Sequence, residues 1–306
     1  MNKKICGLLI ILIIIFSFSG CTKSEEDKVK AVDSSGKIVV SVSFNPILEF
    51  TKAIGGDKVE VHTIIPDGTE PHDFEIKAKD LKTLSKSRIF IYNGLGMEPW
   101  AQKAIDSIDN KNLTVVVASD KCDLIKSTEI DAIKEHGQYD PHTWLSLKMA
   151  KIEALNIKDA LVKVDPSNKE YYENNYLSFS NSLDNLYNEY KGKFDKLHNK
   201  NFVTGHAAFA YLCRDFGLEQ SSVENVFNEG EPTPKKIEEL VEYCSKNNVK
   251  IVFVEELASP KVSETLAKEI NAKVKKIYTI ESKEDNKSYL ESMKENLNDI
   301  YESLVQ

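Results

Sequence analysis

Cysteine is scarce in this 306-residue chain, and its five cysteines form no C-x-x-C pair. A thiolate metal cluster or a thioredoxin-like redox motif is therefore a poor fit. Cys122, Cys213 and Cys244 are an odd set, and a disulfide between Cys213 and Cys244 is one open pairing. Long apolar runs are also missing: the one at 8–18 covers about eleven residues, short of the roughly 20 a membrane-spanning helix needs. Basic residues are not in excess, with 40 Lys and Arg against 48 Asp and Glu and a formal charge of -8. That balance argues against nucleic acid and anionic membrane surfaces as partners. The chain has no His-Glu-x-x-His, no detectable repeat between its halves and no low-complexity segment after residue 36.

What is present begins with a targeting segment. Lys3 and Lys4 precede the apolar run, which stops at Ser19-Gly20-Cys21. This reads as a secretory signal over 1–20, and its ending resembles a bacterial lipobox, in which the cysteine is lipidated and becomes the mature N-terminus. The reading assigns Cys21 as the lipidation site and places the mature chain outside the cytoplasm, anchored to the cell membrane. Loss of Lys3 and Lys4 with the signal takes the formal charge from -8 to -10. Residues 21–36 are charged and hold no aromatic side chain, as a flexible tether would.

The chain is organised around 165–197, where Tyr172, Tyr176, Phe179, Leu183, Leu186, Tyr190, Phe194 and Leu197 recur at steps of three and four. Such a stripe predicts one long helix, capped by Asp165 with Pro166 in its first turn. It would run about 48 Å, longer than a small domain is wide. On both sides strands alternate with helices, which implies parallel pairing through right-handed crossovers. The expected fold class is α/β: two lobes, each a roughly four-stranded, mostly parallel sheet with flanking helices, joined by the long helix. The boundaries are 37–164 for the first lobe, 165–198 for the linking helix and 199–306 for the second lobe.

Open parallel sheets present ligands at the carboxyl ends of their strands, and three of six histidines fall at such places. His72 lies in Glu70-Pro71-His72-Asp73 after the strand expected at 59–65. His142 lies in Asp140-Pro141-His142-Thr143-Trp144 after the strand at 113–118. His206 follows the strand at 202–204 and is expected to open a helix whose N-terminus disfavours its protonation. Glu281 follows the last strand of the second half. Two candidate ligands thus come from each lobe. Neutral imidazoles with one carboxylate suit a tetrahedral, borderline-soft cation such as Zn2+ better than Mg2+ or Ca2+, and binding should fade below about pH 6.5 as imidazole protonates. Each histidine alone reads first as a structural side chain or a satisfied loop hydrogen bond, and only the three together, at strand ends in both halves, make a metal site an equal reading. His62 inside a strand and His198 at a helix end are read as structural, and His136 as an auxiliary ligand at most.

At these residues the sequence resembles the metal-receptor lipoproteins of bacterial ABC importers, the zinc- and manganese-binding group, from residue 37 to 306. The matching stretches are 68–75, 140–146, 204–209, 229–234 and 253–261. The resemblance implies a rigid helix between the lobes and one ion in the cleft between them, with His72, His142, His206 and Glu281 as ligands. Its partners would be a membrane permease with its ATPase, and the protein a monomer. Histidine at 206, where manganese-preferring relatives tend to carry a carboxylate, points to Zn2+, with Mn2+ the alternative. The loop at 121–139 departs from many zinc members in having only His136. Glu70 is an alternative to Glu281 as ligand, and Glu231 and Glu255 are candidates for fixing imidazole tautomers.

The function expected is capture of Zn2+ outside the cytoplasm and delivery to the permease, with no catalytic residues. One alternative is a surface adhesin that binds host matrix protein. Another is a zinc hydrolase, disfavoured because no general base sits one turn from a ligand.

Overall fold

The computed structural model describes residues 36–127, 137–226, 232–257 and 260–305. The expected signal at 1–20, Cys21 and all but the last residue of the tether lie outside the described residues, as do His136 and Glu231.

The first half of the chain runs β1 (Ile38–Val42), α1 (Asn45–Gly55), β2 (Val59–Thr63), α2 (Ala78–Leu84), β3 (Ile89–Tyr92), α3 (Ala101–Ser107) and β4 (Thr114–Val117). Two helices follow, α4 (Leu147–Val164) and α5 (Lys169–Phe194). The second half runs β5 (Asn201–Thr204), α6 (Ala210–Phe216), β6 (Glu219–Ser222), α7 (Pro234–Lys246), β7 (Ile251–Val254), α8 (Pro260–Glu269), β8 (Lys273–Lys276) and α9 (Tyr289–Leu304). All strands pair in parallel, in the orders β2-β1-β3-β4 and β6-β5-β7-β8. The two sheets therefore share one topology, as expected for two α/β lobes, with the long helix between them.

The apolar strands IVVSV and IFIY fill the centre of the first sheet, and IVFV and the apolar part of NFVT fill the centre of the second. The edges β6 (EQSS) and β8 (KVKK) are polar, and lysine on an edge strand discourages pairing with a further chain. The sequence also predicts a strand near 222–227, where apolar Val223 and Val226 fall. The ladder instead ends at Ser222, because Glu219 to Ser222 pair with β5 through their backbone whatever their side chains.

The linking helix starts later than the periodicity predicts. Asp165 ends α4, since its N–H bonds to the Leu161 carbonyl. Pro166–Asn168 form a 3-10 turn around the Asp165 carboxylate, which accepts from Ser167, Asn168 and Tyr172. The α-helix proper has 26 residues, about 39 Å. Tyr172, Leu183, Leu186, Tyr190 and Phe194 are its buried stripe, whereas Tyr176, Phe179 and Leu197 are partly buried. Cys122, Cys213 and Cys244 are buried free thiols in three different apolar clusters, and the Cys213 to Cys244 pairing is not formed. Among the described residues no helix is long and apolar enough to cross a membrane.

One apolar cluster runs from the first sheet through α5 to the inner face of the second, taking in Phe202, Phe253, Ile280 and the α9 residues Met293, Leu297 and Ile300. The outer face of the second sheet has its own smaller core around Val203, Leu240, Val252 and Leu266.

Candidate metal centre

His72, His142, His206 and Glu281 come from four loops at the carboxyl ends of strands, and all four are buried. A donor atom from each of His72, His142 and Glu281 lies within 4.8 Å of the other two. His142 Nε2 stands 3.4 Å from His206 Nε2 and 3.5 Å from Glu281 Oε1. Metal bonds of about 2.0–2.1 Å separate neighbouring donors of a tetrahedral shell by about 3.4 Å. The two measured separations therefore match the edges of such a shell.

Each ligand candidate is held by its own neighbours. Asp140 Oδ1 accepts both the His142 N–H (2.9 Å) and, since a carboxylate only accepts, the ring Nδ1–H at 2.9 Å. That fixes the tautomer of the neutral ring, so that Nε2 is the nitrogen that gives up its proton to take a cation. Glu70 repeats part of this device across Pro71, accepting the His72 N–H at 3.3 Å. Its carboxylate thus has a local task, and Glu281 rather than Glu70 joins His72 and His142 in the cluster.

His206 sits in the loop between β5 and α6, four residues ahead of that helix, and not at its start as expected. Its carbonyl accepts from Thr204 Oγ1 (2.6 Å) and Gln220 Nε2 (2.8 Å), and these bonds hold 205–209 off the helical path. Its N–H donates to Glu255 Oε1 at 3.2 Å, and the same oxygen lies 3.8 Å from Nδ1. A Cβ at position 205 would come within 2.0 Å of Glu255 Oε2, so glycine is needed there for the carboxyl group to reach under His206.

Electrostatics separate the two central imidazoles. Burial lowers the His142 pKa, but the bonds and charges of Asp140 and Glu281 outweigh it and raise it to about 9. Burial lowers His206 to about 4, which Glu281 opposes and His142 reinforces. The low value at His206 is thus a burial effect and not a helix-terminus effect. Burial raises Glu281, yet His142, His206 and His72 together hold it well below the usual carboxylate range. Burial pushes Glu255 up to about 8. Proton competition at His142 therefore begins above pH 6.5.

Glu281 follows a residue in an unusual conformation: Ile280 has φ +64°, left-handed backbone that costs a β-branched residue about 1–3 kcal/mol. Asn45 Nδ2 donates to the Ile280 carbonyl (3.0 Å) and the Ser282 carbonyl (3.2 Å), one on each side of Glu281. Glu281 Oε2 accepts from Thr279 Oγ1 at 3.0 Å, which leaves Oε1 toward His142.

The sequence reading missed Asp140, Asn45 and Gln220. Asp140 had a signal in the shared carboxylate-Pro-His pattern. Asn45 and Gln220 had none, since they meet the site only in three dimensions. Of the other histidines, His62 is partly exposed beside Glu60 at 3.2 Å.

Two doubly wound lobes joined by a helix, with buried imidazoles and a carboxylate converging between them, define a two-lobed metal-binding protein of the solute-binding class. The chain belongs to the zinc-uptake complex component A family (ZnuA, periplasmic), whose model matches residues 40–303. It is 36% identical over 319 residues to the high-affinity zinc uptake system protein ZnuA of Bacillus subtilis, covering 100% of this chain and 99% of that one. The laminin-binding protein Lmb of Streptococcus agalactiae, described as bifunctional with adhesin and metal transporting activity, superposes with TM-score 0.80 at 33% identity, over 88% of this chain and 99% of that one. Zn(II)-bound AdcA of Streptococcus pneumoniae gives TM-score 0.76 at 32% identity, over 89% of this chain and 58% of that longer one.

Proposed function

We propose that this chain captures one Zn2+ in the cleft between its lobes and delivers it to a membrane permease driven by an ATPase, without turning over a substrate. The ligands are His72, His142, His206 and Glu281. The observation that carries the reading is His142 Nε2, placed at tetrahedral-edge distance from a second-lobe imidazole and from Glu281. Four protein donors complete a tetrahedral shell, whereas a hydrolytic zinc site keeps one position open for water. Three imidazoles favour Zn2+ over Mn2+, which prefers oxygen donors.

The protein works as a monomer outside the cytoplasm. Residues 1–20 are removed, Cys21 carries the lipid and 21–36 tether lobes 37–164 and 199–306, with 165–198 between them. Metal analysis of the purified protein should return about one zinc per chain, with Zn2+ displacing Mn2+ in competition calorimetry. Stripped protein that takes up no zinc would overturn the proposal.

A second reading, matrix adhesion alongside metal capture, is favoured by the likeness to Lmb, whose description names both activities. Its test is laminin binding by a variant lacking the three histidine ligands, and no binding above a control protein would remove it.

A further inference from the structure

Resting on that zinc-binding reading, we infer that Asn45 is the positioning residue that mounts the Glu281 ligand on the first lobe, although Glu281 follows the last strand of the second. The course of the chain after β8 carries the argument. Ile277 and Tyr278 still bond to the second lobe, through the Val254 carbonyl (2.9 Å) and Asn296 Oδ1 (2.9 Å). From Thr279 the partners change sides. Trp144 Nε1 donates to the Thr279 carbonyl (2.8 Å), and Asn45 Nδ2 to those of Ile280 and Ser282. Gly68 N–H donates to Ser282 Oγ (2.7 Å), and Lys283 N–H to Asp67 Oδ1 (3.0 Å).

Asn45 is the central fastening. It is buried, and both its partners are carbonyl oxygens, so only the amide nitrogen can face them. Those carbonyls flank Glu281, and one belongs to Ile280, whose left-handed backbone no local sequence preference would supply. With this clamp His72, His142 and Glu281 form one preassembled set on the first lobe. His206, held by Thr204, Gln220 and Glu255, is the one ligand mounted on the second.

A double-mutant cycle tests this, with zinc dissociation constants measured by chelator competition on the intact protein. Asn45→Ala should weaken zinc binding by about tenfold or more, the size seen when a group orienting a ligand is lost. In a Glu281→Ala background the same change should cost less than about twofold. Should Asn45→Ala not fold, Asn45→Ser, which keeps a short donor but cannot span both carbonyls, is read on the same scale. Unchanged affinity in Asn45→Ala would overturn the inference, as would an equal loss in both backgrounds, which would mean Asn45 acts without Glu281. If Glu281→Ala itself binds zinc as tightly as the unaltered protein, the ligand assignment has failed, and that arm identifies it as the cause.

Discussion

The two lobes share a strand order but not a way of being held. The first sheet has one core, continuous with the long helix; Asp140 fastens its own His142 loop, and Asn45 and Trp144 fasten the incoming segment 279–282 of the second half. The second lobe is divided: its inner face and last helix join that same core, while its outer face packs separately around Val203, Leu240 and Val252. Tyr289, at the start of α9, shows how complete the merger is. Its ring meets Phe50 edge-on at 4.7 Å, and its hydroxyl donates to the Trp144 carbonyl at 2.6 Å. Similar topology therefore does not imply that the lobes share the ligands equally. The candidate ligands divide by hydrogen bonding, with Glu281 in the segment fastened to the first lobe beside His72 and His142, and His206 on the second, where chain order alone suggests two and two.

This contrast can be broken most decisively at His142, the imidazole that faces both sides. His142→Ala should raise the zinc dissociation constant by more than about 100-fold, because it removes a ligand and strands the buried carboxylates of Asp140 and Glu281. Chelator competition would measure it. His206→Ala should cost less, about 10- to 100-fold, since three donors remain assembled without it. Equal losses for the two variants would mean that the first-lobe set is not preassembled.

The carboxylates behind the two imidazoles offer a finer comparison. Asp140 meets Nδ1 of His142 at 2.9 Å, whereas Glu255 lies 3.8 Å from Nδ1 of His206 and is pushed up to about 8 by burial. Asp140→Asn should weaken zinc binding by about tenfold, and Glu255→Gln by less, both read by calorimetry. The reverse order would show that the second lobe orients its ligand the more strongly.

The smallest effect is a proton count. In the zinc-free protein at pH 7, His142 carries protons on both ring nitrogens, its pKa being raised to about 9, whereas His206, lowered to about 4, is neutral. Zinc should therefore release about one proton, seen as a dependence of binding enthalpy on buffer ionisation. Affinity should fall as pH drops from 9 toward 6.5, the opposite sign to the group's effect on folding. Protonated His142 stabilises the zinc-free protein fully below its unfolded value of 6.5 and loses that contribution as pH rises through 9. Asp140→Asn should shrink the release.

Much of this architecture was legible before any coordinates. Alternation of strand and helix patterns on either side of 165–198 predicts two roughly four-stranded parallel sheets with a long helix between them, and both sheets have four parallel strands, because such periodicity is a local property of the chain. Misplacement occurred where tertiary bonds outweighed side-chain pattern. Polar Glu219 to Ser222 form a strand through backbone pairing with β5, and 206–209 stay out of α6 because Thr204 and Gln220 claim the His206 carbonyl. Cys213 and Cys244, whose pairing the sequence leaves open, are free thiols belonging to different apolar clusters, which spacing along the chain cannot report.

The sequence by itself determined the class of fold and the chemical identity of the candidate ligands, since both follow from residue type and short-range order. Tertiary structure alone decided which lobe fastens which candidate ligand, which carboxylate stands beside His142 and which beside His206, and that Asn45 reaches across 235 residues to the Ile280 carbonyl next to Glu281. The physical reason is that hydrogen-bond partners are chosen by proximity after the core has closed, and a core shared by two lobes brings together groups that the chain keeps far apart.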